Sequence, residues 1–227
     1  MWRMKRTIFI TGTDTGAGKT VLTALLARFL RGTGVSVAAL KPVCSGGRED
    51  ALVLRAALGG ALALDEINPW HFRAAVAPAL AVRLEKKTLR LAPVLAHLRA
   101  VRGKFDVTLV EGAGGLLSPL GENFNSRDLI SALRAVPVIV APDKLGAVNH
   151  VLLTLEALPE NFCAKAKVVL MSPAKPDAAT AANANLLGLF FPPENIFMLP
   201  WLGKKFSPEA ALKKPQVKQA LAALVEI

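Results

Sequence analysis

The stretch IFITGTDTGAGKT, residues 8–20, runs directly into VLTALLARFL, residues 21–30, and together they decide the fold. A short β-branched and aromatic segment enters a glycine-rich turn, which opens into an Ala/Leu-rich segment with helical spacing. This order of strand, glycine-rich loop and helix is typical of a nucleotide-phosphate site. Glycine lets the backbone turn tightly, so that consecutive N–H groups face an anion at the start of the helix.

Two functional side chains follow the last glycine of this loop. Lys19 is placed to reach the outer phosphates, and the hydroxyl of Thr20 is placed to bind Mg²⁺. The usual pattern, G-x-x-x-x-G-K-[ST], needs glycine at position 13, whereas this chain has Gly12 followed by Thr13. A chance Gly-Lys-Thr in a turn is the alternative, but the flanking strand and helix favour a phosphate site. The predicted nucleotide-binding residues of the loop are Gly12, Thr13, Asp14, Thr15, Gly16, Ala17, Gly18, Lys19 and Thr20.

Length and composition predict a single α/β domain over residues 1–227. Hydrophobic residues make up 52% of the chain and charged residues 20%, which supports a sizeable core and excludes global disorder. The apolar segment after residues 1–6 is too short for a signal peptide, and no stretch approaches a membrane span. Two cysteines, Cys44 and Cys163, are too few for a disulfide framework, so we expect a cytoplasmic protein.

The net charge of +11 raises nucleic acid and membrane surfaces as possible partners. The basic residues are scattered along the chain, however, and they alternate with no aromatic series. Such scatter favours a solvated basic surface. We therefore expect neither a nucleic-acid partner nor a membrane partner.

Apolar strands and helical segments alternate along the rest of the chain. The predicted strands are residues 35–40, 105–110, 136–141, 167–171 and 196–199, and the predicted helices are 50–58, 78–87, 93–102, 146–157, 178–187 and 216–225. Residues 41–47 are predicted to form a loop and residues 67–70 a turn. This pattern predicts a mostly parallel sheet with helices on both faces and ligands beyond the carboxyl ends of the strands.

Acids and a lysine stand at the predicted strand ends. Mg²⁺ bound to a triphosphate takes oxygen ligands, so Thr20, Glu111 and an acid after the second strand form a candidate set. We favour Asp50 over Glu49 for that acid, although either could instead be a first-turn acid that complements a helix dipole. Lys41 ends an apolar strand before proline, where a charge is costly unless an anion is bound there.

Several motifs, taken in order, resemble those of the dethiobiotin synthetases. They are TGTDT at 11–15 with GKT at 18–20, KPV at 41–43 with SG at 45–46, VEGAGG at 110–115, KLG at 144–146 with NH at 149–150, and PWL at 200–202. The resemblance implies a homodimeric P-loop NTPase that acts as an ATP-dependent cyclo-ligase of biotin biosynthesis. It would form the ureido ring of dethiobiotin from 7,8-diaminononanoate and CO₂ through a carbamate and a phosphocarbamate.

The resemblance also implies roles for individual residues. Thr20, Asp50 and Glu111 would hold Mg²⁺. The catalytic set around the transferred phosphoryl group would be Lys19, Lys41, Thr15 and Ser45, of which Lys41 and Ser45 would bind the carbamate and its phosphorylated form. Gly16 departs from the acidic residue found in some relatives and leaves that corner of the substrate site undefined.

The substrate carboxylate would be bound across a dimer interface. Gly114 is a predicted substrate-binding residue, and the resemblance assigns the carboxylate to a helix start whose N–H groups we expect to be free donors, at Gly146, Ala147, Val148 and Asn149. The second subunit would provide this helix start. A glycine-initiated helix without any ligand is the alternative.

The nucleobase region departs most from the family pattern. The family commonly has Asn-Asp after the strand that corresponds to residues 167–171, whereas this chain has Ser172 and Pro173. Ser172, with a segment formed by Pro200, Trp201 and Leu202, is the predicted base-binding region. One hydroxyl in place of an amide predicts weak discrimination among bases.

Two other functions fit parts of the sequence. A partitioning or positioning ATPase that dimerises on DNA or membrane would have a loop similar to Lys-Gly-Gly-x-x-x-Lys. This chain has Thr13, Asp14 and Thr15 where such a loop has its early lysine. The C-terminal segment of this chain, residues 216–225, is weakly amphipathic and is interpreted as a core helix rather than a membrane anchor. An amide synthase of the cobyrinate type would need a glutaminase domain, for which 227 residues leave no room.

Overall fold

A parallel six-stranded sheet forms the centre of the molecule. The computed structural model describes residues 5–226, so the prediction of no signal peptide lies partly outside the described residues. Within that range the strands are β1 (Arg6–Gly12), β2 (Val37–Leu40), β3 (Val43–Ser45), β4 (Trp70–Phe72), β5 (Val107–Gly115), β6 (Val136–Pro142), β7 (Lys167–Met171) and β8 (Ile196–Leu199). The order across the main sheet is β2-β5-β1-β6-β7-β8, with every neighbouring pair parallel.

Helices cover the sheet on both faces. Over residues 5–226 they are α1 (Lys19–Gly32), α2 (Glu49–Ala57), α3 (Leu64–Ile67), α4 (Pro78–Leu84), α5 (Leu91–Arg102), α6 (Ser126–Leu133), α7 (Ala147–Glu156), α8 (Glu160–Cys163), α9 (Ala178–Leu187), α10 (Pro208–Ala211) and α11 (Pro215–Val225). The central strand β1 is buried on successive residues from Thr7 to Gly12, so both of its faces are covered. The predicted α/β fold with a mostly parallel sheet is confirmed.

The local predictions hold best where the apolar pattern is long. Each predicted strand and helix is present, with shifts of a few residues at its ends. Two predictions are wrong: the expected loop 41–47 contains β3, and the expected turn 67–70 contains the end of α3 and the start of β4. These strands form a separate two-stranded parallel sheet in which Val43 pairs with Trp70 and Ser45 with Phe72. That pairing lies between distant segments, so local sequence could not show it.

All strands of the main sheet point the same way, so their carboxyl ends meet at one edge. The phosphate loop follows β1 at this edge, and Lys41 follows β2. Glu111 lies within β5, which continues to Gly115; the prediction that the strand spans 105–110 and ends just before Glu111 is therefore wrong. None of the helices within residues 5–226 combines the length and the apolar character needed to cross a membrane.

Candidate functional site

The phosphate loop joins β1 to α1 and wraps around its own lysine. Lys19 Nζ donates to the Asp14 carbonyl oxygen at 2.9 Å. A Cβ added to Gly12 would lie 3.0 Å from that oxygen and 3.1 Å from Lys19 Nζ, so this position needs glycine for close approach. Gly18, the residue before α1, has a φ of 101°, a left-handed conformation that also favours glycine. No side chain caps the start of α1 within residues 5–226, so its first N–H groups are available to an anion at the loop.

Four side chains meet beside the loop at the carboxyl edge. Lys41 Nζ lies 2.7 Å from Glu111 Oε1 and 2.6 Å from Asp50 Oδ2. The Thr20 hydroxyl donates to Glu111 Oε1 at 2.7 Å. Lys41 and Glu111 are buried, whereas the Asp50 side chain is half-exposed. Four different parts of the chain thus bring an ammonium, two carboxylates and a hydroxyl into direct contact.

Burial and charge shift the pKa values of this cluster in opposite directions. Burial, helped by the nearby Lys41 charge, lowers the pKa of Lys19 to about 8. Burial would lower the pKa of Lys41 too, but the carboxylates of Glu111 and Asp50 outweigh it and raise that pKa above its usual value. Burial would raise the pKa of Asp50, yet Lys41 opposes this and holds it below its usual range. Lys41 is therefore a permanent cation near neutral pH.

A cavity of about 780 Å³ opens over this cluster. The predicted residues that line it are Thr15, Gly16, Gly18, Lys19, Thr20, Lys41, Ser45, Asp50 and Gly114. The opposite wall is the segment Ala75, Val76, Ala77 and Pro78, which the sequence prediction missed. Ser45 is held against that wall because its hydroxyl donates to the Val76 carbonyl oxygen at 2.5 Å. The cavity thus has a polar end, formed by ammonium, carboxylate and hydroxyl groups, and a mostly apolar side.

Sequence reasoning also missed Ser118 as a cavity residue. Its hydroxyl accepts from the Gly115 N–H at 2.9 Å, which turns the chain back after β5. The signal was available, because a serine three residues after a glycine-rich stretch commonly bonds to backbone in this way. The apolar segment 75–78 carried no comparable signal.

The predicted base and carboxylate residues lie outside this cavity. Ser172 follows β7, and its N–H donates to the Leu199 carbonyl oxygen at 2.9 Å beside the start of 200–202. The end of β7 borders the phosphate loop, because a Cβ on Gly18 would lie 3.1 Å from the Met171 side chain. Pro200 and Leu202 are half-buried, and Trp201 is exposed.

The predicted carboxylate-binding helix start is Gly146, the residue before α7, followed by Ala147, Val148 and Asn149. The expectation that all four N–H groups are free is wrong at Ala147, whose N–H donates to the Lys144 carbonyl oxygen at 3.0 Å. A tight turn before the helix uses that donor. Gly146 and Asn149 are exposed, as a group that serves a second molecule must be.

A second cavity of about 310 Å³ lies on the far side of the loop. Thr13, Asp14 and Ser118 border it together with His150 and Leu153 of α7. Two of the leucines that line it are exposed, Leu117 at 49% and Leu153 at 61%. The outer face of the phosphate loop is therefore continuous with an apolar surface.

Comparison with known proteins gives two kinds of similarity. The family model described as an AAA domain matches residues 6–204. The ATP-dependent dethiobiotin synthetase BioD of Anaeromyxobacter dehalogenans (strain 2CP-C) is 37% identical over 226 residues, which cover 97% of this chain and 99% of that protein.

Two solved structures share the fold at low identity. The MinC:MinD cell division protein complex of Aquifex aeolicus matches with a TM-score of 0.59 and 17% identity, over 96% of this chain and 93% of that chain. The pNOB8 ParA structure bound to nonspecific DNA matches with a TM-score of 0.56 and 15% identity, over 97% of each chain. At such identities these two similarities concern the fold alone.

Proposed function

This chain belongs to the AAA domain family and, within it, to the ATP-dependent dethiobiotin synthetases, and from that membership we propose the reaction that it catalyses. It is an ATP-dependent ligase of biotin biosynthesis that forms the ureido ring of dethiobiotin from 7,8-diaminononanoate and CO₂. The observation that carries the proposal is the pair of lysines, Lys19 and Lys41, at one cavity beside a phosphate loop.

The proposed chemistry has three steps. One substrate amine attacks CO₂, forms a C–N bond and loses a proton, which gives a carbamate. A carbamate oxygen then attacks the γ-phosphorus of ATP, and ADP leaves. The second amine attacks the carbonyl carbon of this mixed anhydride and loses a proton, so that phosphate leaves and the ring closes. The first step places negative charge on the carbamate oxygens, and the next two place it on the phosphoryl group and the leaving groups; fixed cations stabilise these charges.

The residues at the cavity suit these charges. We assign Lys19 to the phosphates of ATP, including the γ-phosphoryl group that is transferred, because it lies inside the phosphate loop. We assign Lys41 and Ser45 to the carbamate and its phosphorylated form, since both line the cavity and neither belongs to the phosphate loop. Thr15 and Gly114 line the same space and can donate to the substrate there. No protein nucleophile is needed, because the substrate provides both nucleophiles.

A Mg²⁺ site also fits this cluster. Glu111 Oε2 is buried and has no hydrogen-bond partner within residues 5–226, and the Thr20 hydroxyl and the Asp50 carboxylate lie around the same point. All of these donors are oxygens, the ligands that Mg²⁺ prefers. We propose that Thr20, Asp50 and Glu111 hold Mg²⁺, which would neutralise phosphate charge when bound. Glu49, the other candidate acid, is exposed, whereas the Asp50 carboxylate contacts Lys41 in the cluster that contains Thr20 and Glu111.

We further propose a homodimer in which α7 of one subunit completes the substrate site of the other. The exposed leucines around the second cavity support this, because a monomer would leave that apolar surface in water. Gly146, Val148 and Asn149 would then offer N–H groups at the positive end of α7 to the substrate carboxylate. We also propose a cytoplasmic location, since both cysteines, Cys44 and Cys163, are free thiols.

The experiment that tests the function measures phosphate release from ATP with and without 7,8-diaminononanoate and bicarbonate. We expect release to require both, with dethiobiotin formed in equal amount. Lys19→Ala serves as the control for phosphate release by a contaminant. Phosphate release at the same rate with and without 7,8-diaminononanoate would contradict the proposal. A partitioning ATPase would instead be retained by DNA or liposomes at physiological salt, and the low identity to the MinD and ParA structures gives no support for that activity.

A further inference from the structure

Asn68 is a buried amide that contacts the segment carrying Lys41 at three places. It follows α3 and is only 1% exposed. Its Nδ2 donates to the Lys41 carbonyl oxygen at 2.7 Å. Its Oδ1 accepts from Arg48 Nε at 3.1 Å and from Cys44 Sγ at 3.2 Å. One side chain therefore joins the end of β2, the strand β3 and the residue before α2.

Backbone bonds add to these contacts. The Lys41 N–H donates to the Ile67 carbonyl oxygen at 2.9 Å, so residues 67 and 68 hold both polar groups of the Lys41 backbone. Arg48 also donates from Nη2 to the Asn68 carbonyl oxygen at 2.8 Å. Arg48 immediately precedes α2, whose second residue is Asp50. Asn68 thus contacts both the residue Lys41 and the start of the helix that carries its ion-pair partner Asp50.

We propose that Asn68 is a positioning residue for the reaction, which fixes Lys41 relative to Asp50 and to the cavity. This inference rests on the proposed role of Lys41. Residues 67 and 68 hold the backbone of Lys41, and two carboxylates hold its Nζ. A shift of the backbone would therefore move Nζ relative to a transferred phosphoryl group. A misplacement of about 1 Å at such a group costs about 10²-fold in rate.

The chemistry of the side chain explains why an amide occupies this position. Asn68 must donate on one side, to a carbonyl, and accept on the other, from an N–H and a thiol. Aspartate keeps the acceptor but lacks the donor, and alanine lacks both. Each loss leaves the buried Lys41 carbonyl oxygen without its side-chain donor, and the segment must shift or admit water to satisfy it.

The first experiment separates positioning from folding. We expect Asn68→Asp and Asn68→Ala to lower kcat by about 10- to 100-fold, while the KM and the calorimetric Kd for ATP change by less than about threefold. Ile67→Val is the matched control: it trims a fully buried side chain next to Asn68 and keeps every bond described above. A control with the same melting temperature as the Asn68 variants and the same loss of kcat would overturn the proposal.

A double-mutant cycle tests the link to Lys41. If Asn68 acts through Lys41, Asn68→Ala in a Lys41→Ala background lowers single-turnover rates by less than about threefold, because the group it positions is absent. Additive losses would show that Asn68 acts elsewhere. Arg48→Met provides a second route to the same network from a half-exposed residue, and it should reproduce part of the kcat loss without the risk of misfolding.

Alkylation of Cys44 provides a readout that does not depend on activity. Cys44 is buried, and burial raises the pKa of its thiol, so it should react slowly with iodoacetamide. Asn68→Ala should raise its alkylation rate about tenfold or more relative to Cys163, while Ile67→Val should not. Unchanged alkylation would overturn the proposal whatever the activity. Faster Cys44 alkylation in Asn68→Ala, together with a wild type that shows no diamine-dependent phosphate release, would instead refute the proposed function alone.

Discussion

Two lysines of the sheet are equally buried and yet lie in opposite surroundings. Lys41 is 4% exposed and follows β2 at the carboxyl edge, where it contacts Glu111 and Asp50. Lys167 is 7% exposed and begins β7 at the amino edge, where it donates to the carbonyl oxygens of Ala223, Leu224 and Glu226 at the end of α11. One faces acids beside a cavity, and the other caps a helix.

Their pKa values differ accordingly. Burial lowers the pKa of Lys167, and its neighbour Glu226 offsets this only in part. For Lys41 the two carboxylates outweigh burial and raise the pKa. A buried charge alone therefore does not identify a catalytic group. Lys41 differs from Lys167 because it lies at the carboxyl edge of the sheet, contacts two acids that keep it charged, and lines an open cavity.

The largest expected effect is at the cavity. Lys41→Ala and Lys19→Ala should each lower turnover by about 10²–10³-fold or more, since each removes one cation from the charge that develops in the transition state. Lys19→Ala should also weaken ATP binding, whereas Lys41→Ala should leave ATP affinity largely intact. Phosphate release and calorimetric ATP titration measure the two properties separately.

Lys167→Met is the matched control for this pair, because it removes an equally buried lysine far from the cavity. Turnover by Lys41→Ala within about threefold of the wild type would show that the assignment of Lys41 is wrong. A large loss of turnover in Lys167→Met with ATP still bound would contradict the view that only the lysine at the carboxyl edge of the sheet, Lys41, serves the reaction.

The next effect concerns the groups that lie outside the cavity. Leu153→Arg should separate the proposed dimer and raise the KM for 7,8-diaminononanoate by about 10- to 100-fold, the equivalent of roughly 1.5–3 kcal/mol of hydrogen bonding to a charged group. The KM for ATP should change little. Leu153 suits this better than Ala147→Pro, which would also break the Ala147–Lys144 bond.

Leu189→Arg provides the control for a charge placed on an exposed leucine, since Leu189 is 76% exposed and does not line the second cavity. Sedimentation should show a dimer for that variant and a monomer for Leu153→Arg. An unchanged KM in a proven monomer would remove the cross-subunit site.

A smaller effect is expected at the ends of β7 and β8. Ser172 and Pro173 offer about one or two fewer hydrogen bonds than Asn-Asp, each worth roughly 0.5–1.5 kcal/mol, so ATP should be preferred over CTP or GTP by about tenfold or less in kcat/KM. Ser172→Asn should increase the preference. A preference of the wild type for ATP above about a hundredfold would indicate that other groups, such as the backbone near Trp201, recognise the base.

The smallest effect concerns stability at the amino edge. Lys167→Met should lower the free energy of unfolding by about 1–2 kcal/mol, because buried carbonyl oxygens lose their donor. The pKa of Lys167 is lowered in the fold, so on approach to its ordinary value of 10.5 the folded state releases a proton before the unfolded state does. The unfolded state then binds more protons, and stability rises with pH.

Urea unfolding of the wild type and Lys167→Met should therefore diverge as the pH rises towards 10.5, with the wild type gaining stability. Lys41 has the opposite sign: its pKa is raised, so its contribution is complete below 10.5 and is lost only at higher pH. A difference between wild type and Lys167→Met that shrinks with pH would contradict the lowered pKa.

Local patterns predicted some elements and missed others for identifiable reasons. Helix α6 was not predicted although its signal was present: Asn125 accepts from the N–H groups of Arg127 and Asp128, and the Asp128 side chain accepts from Asn125 in return. The strands β3 and β4 had no such signal, because Pro42 and Gly46 flank β3 and its partner is 27 residues away, at Trp70.

The sequence by itself determined the alternation of strands and helices, the phosphate loop, and the candidate residues Lys19, Thr20, Lys41 and Glu111. These follow from periodicity and from residue types that only a nucleotide site needs at such spacing, which are local properties of the chain. Tertiary structure alone decided that Asp50 contacts Lys41, that residues 75–78 form the cavity wall, and that Asn68 holds the Lys41 backbone. The physical reason is that each of these is a contact between segments brought together by parallel strand pairing and helix packing, which local sequence does not encode.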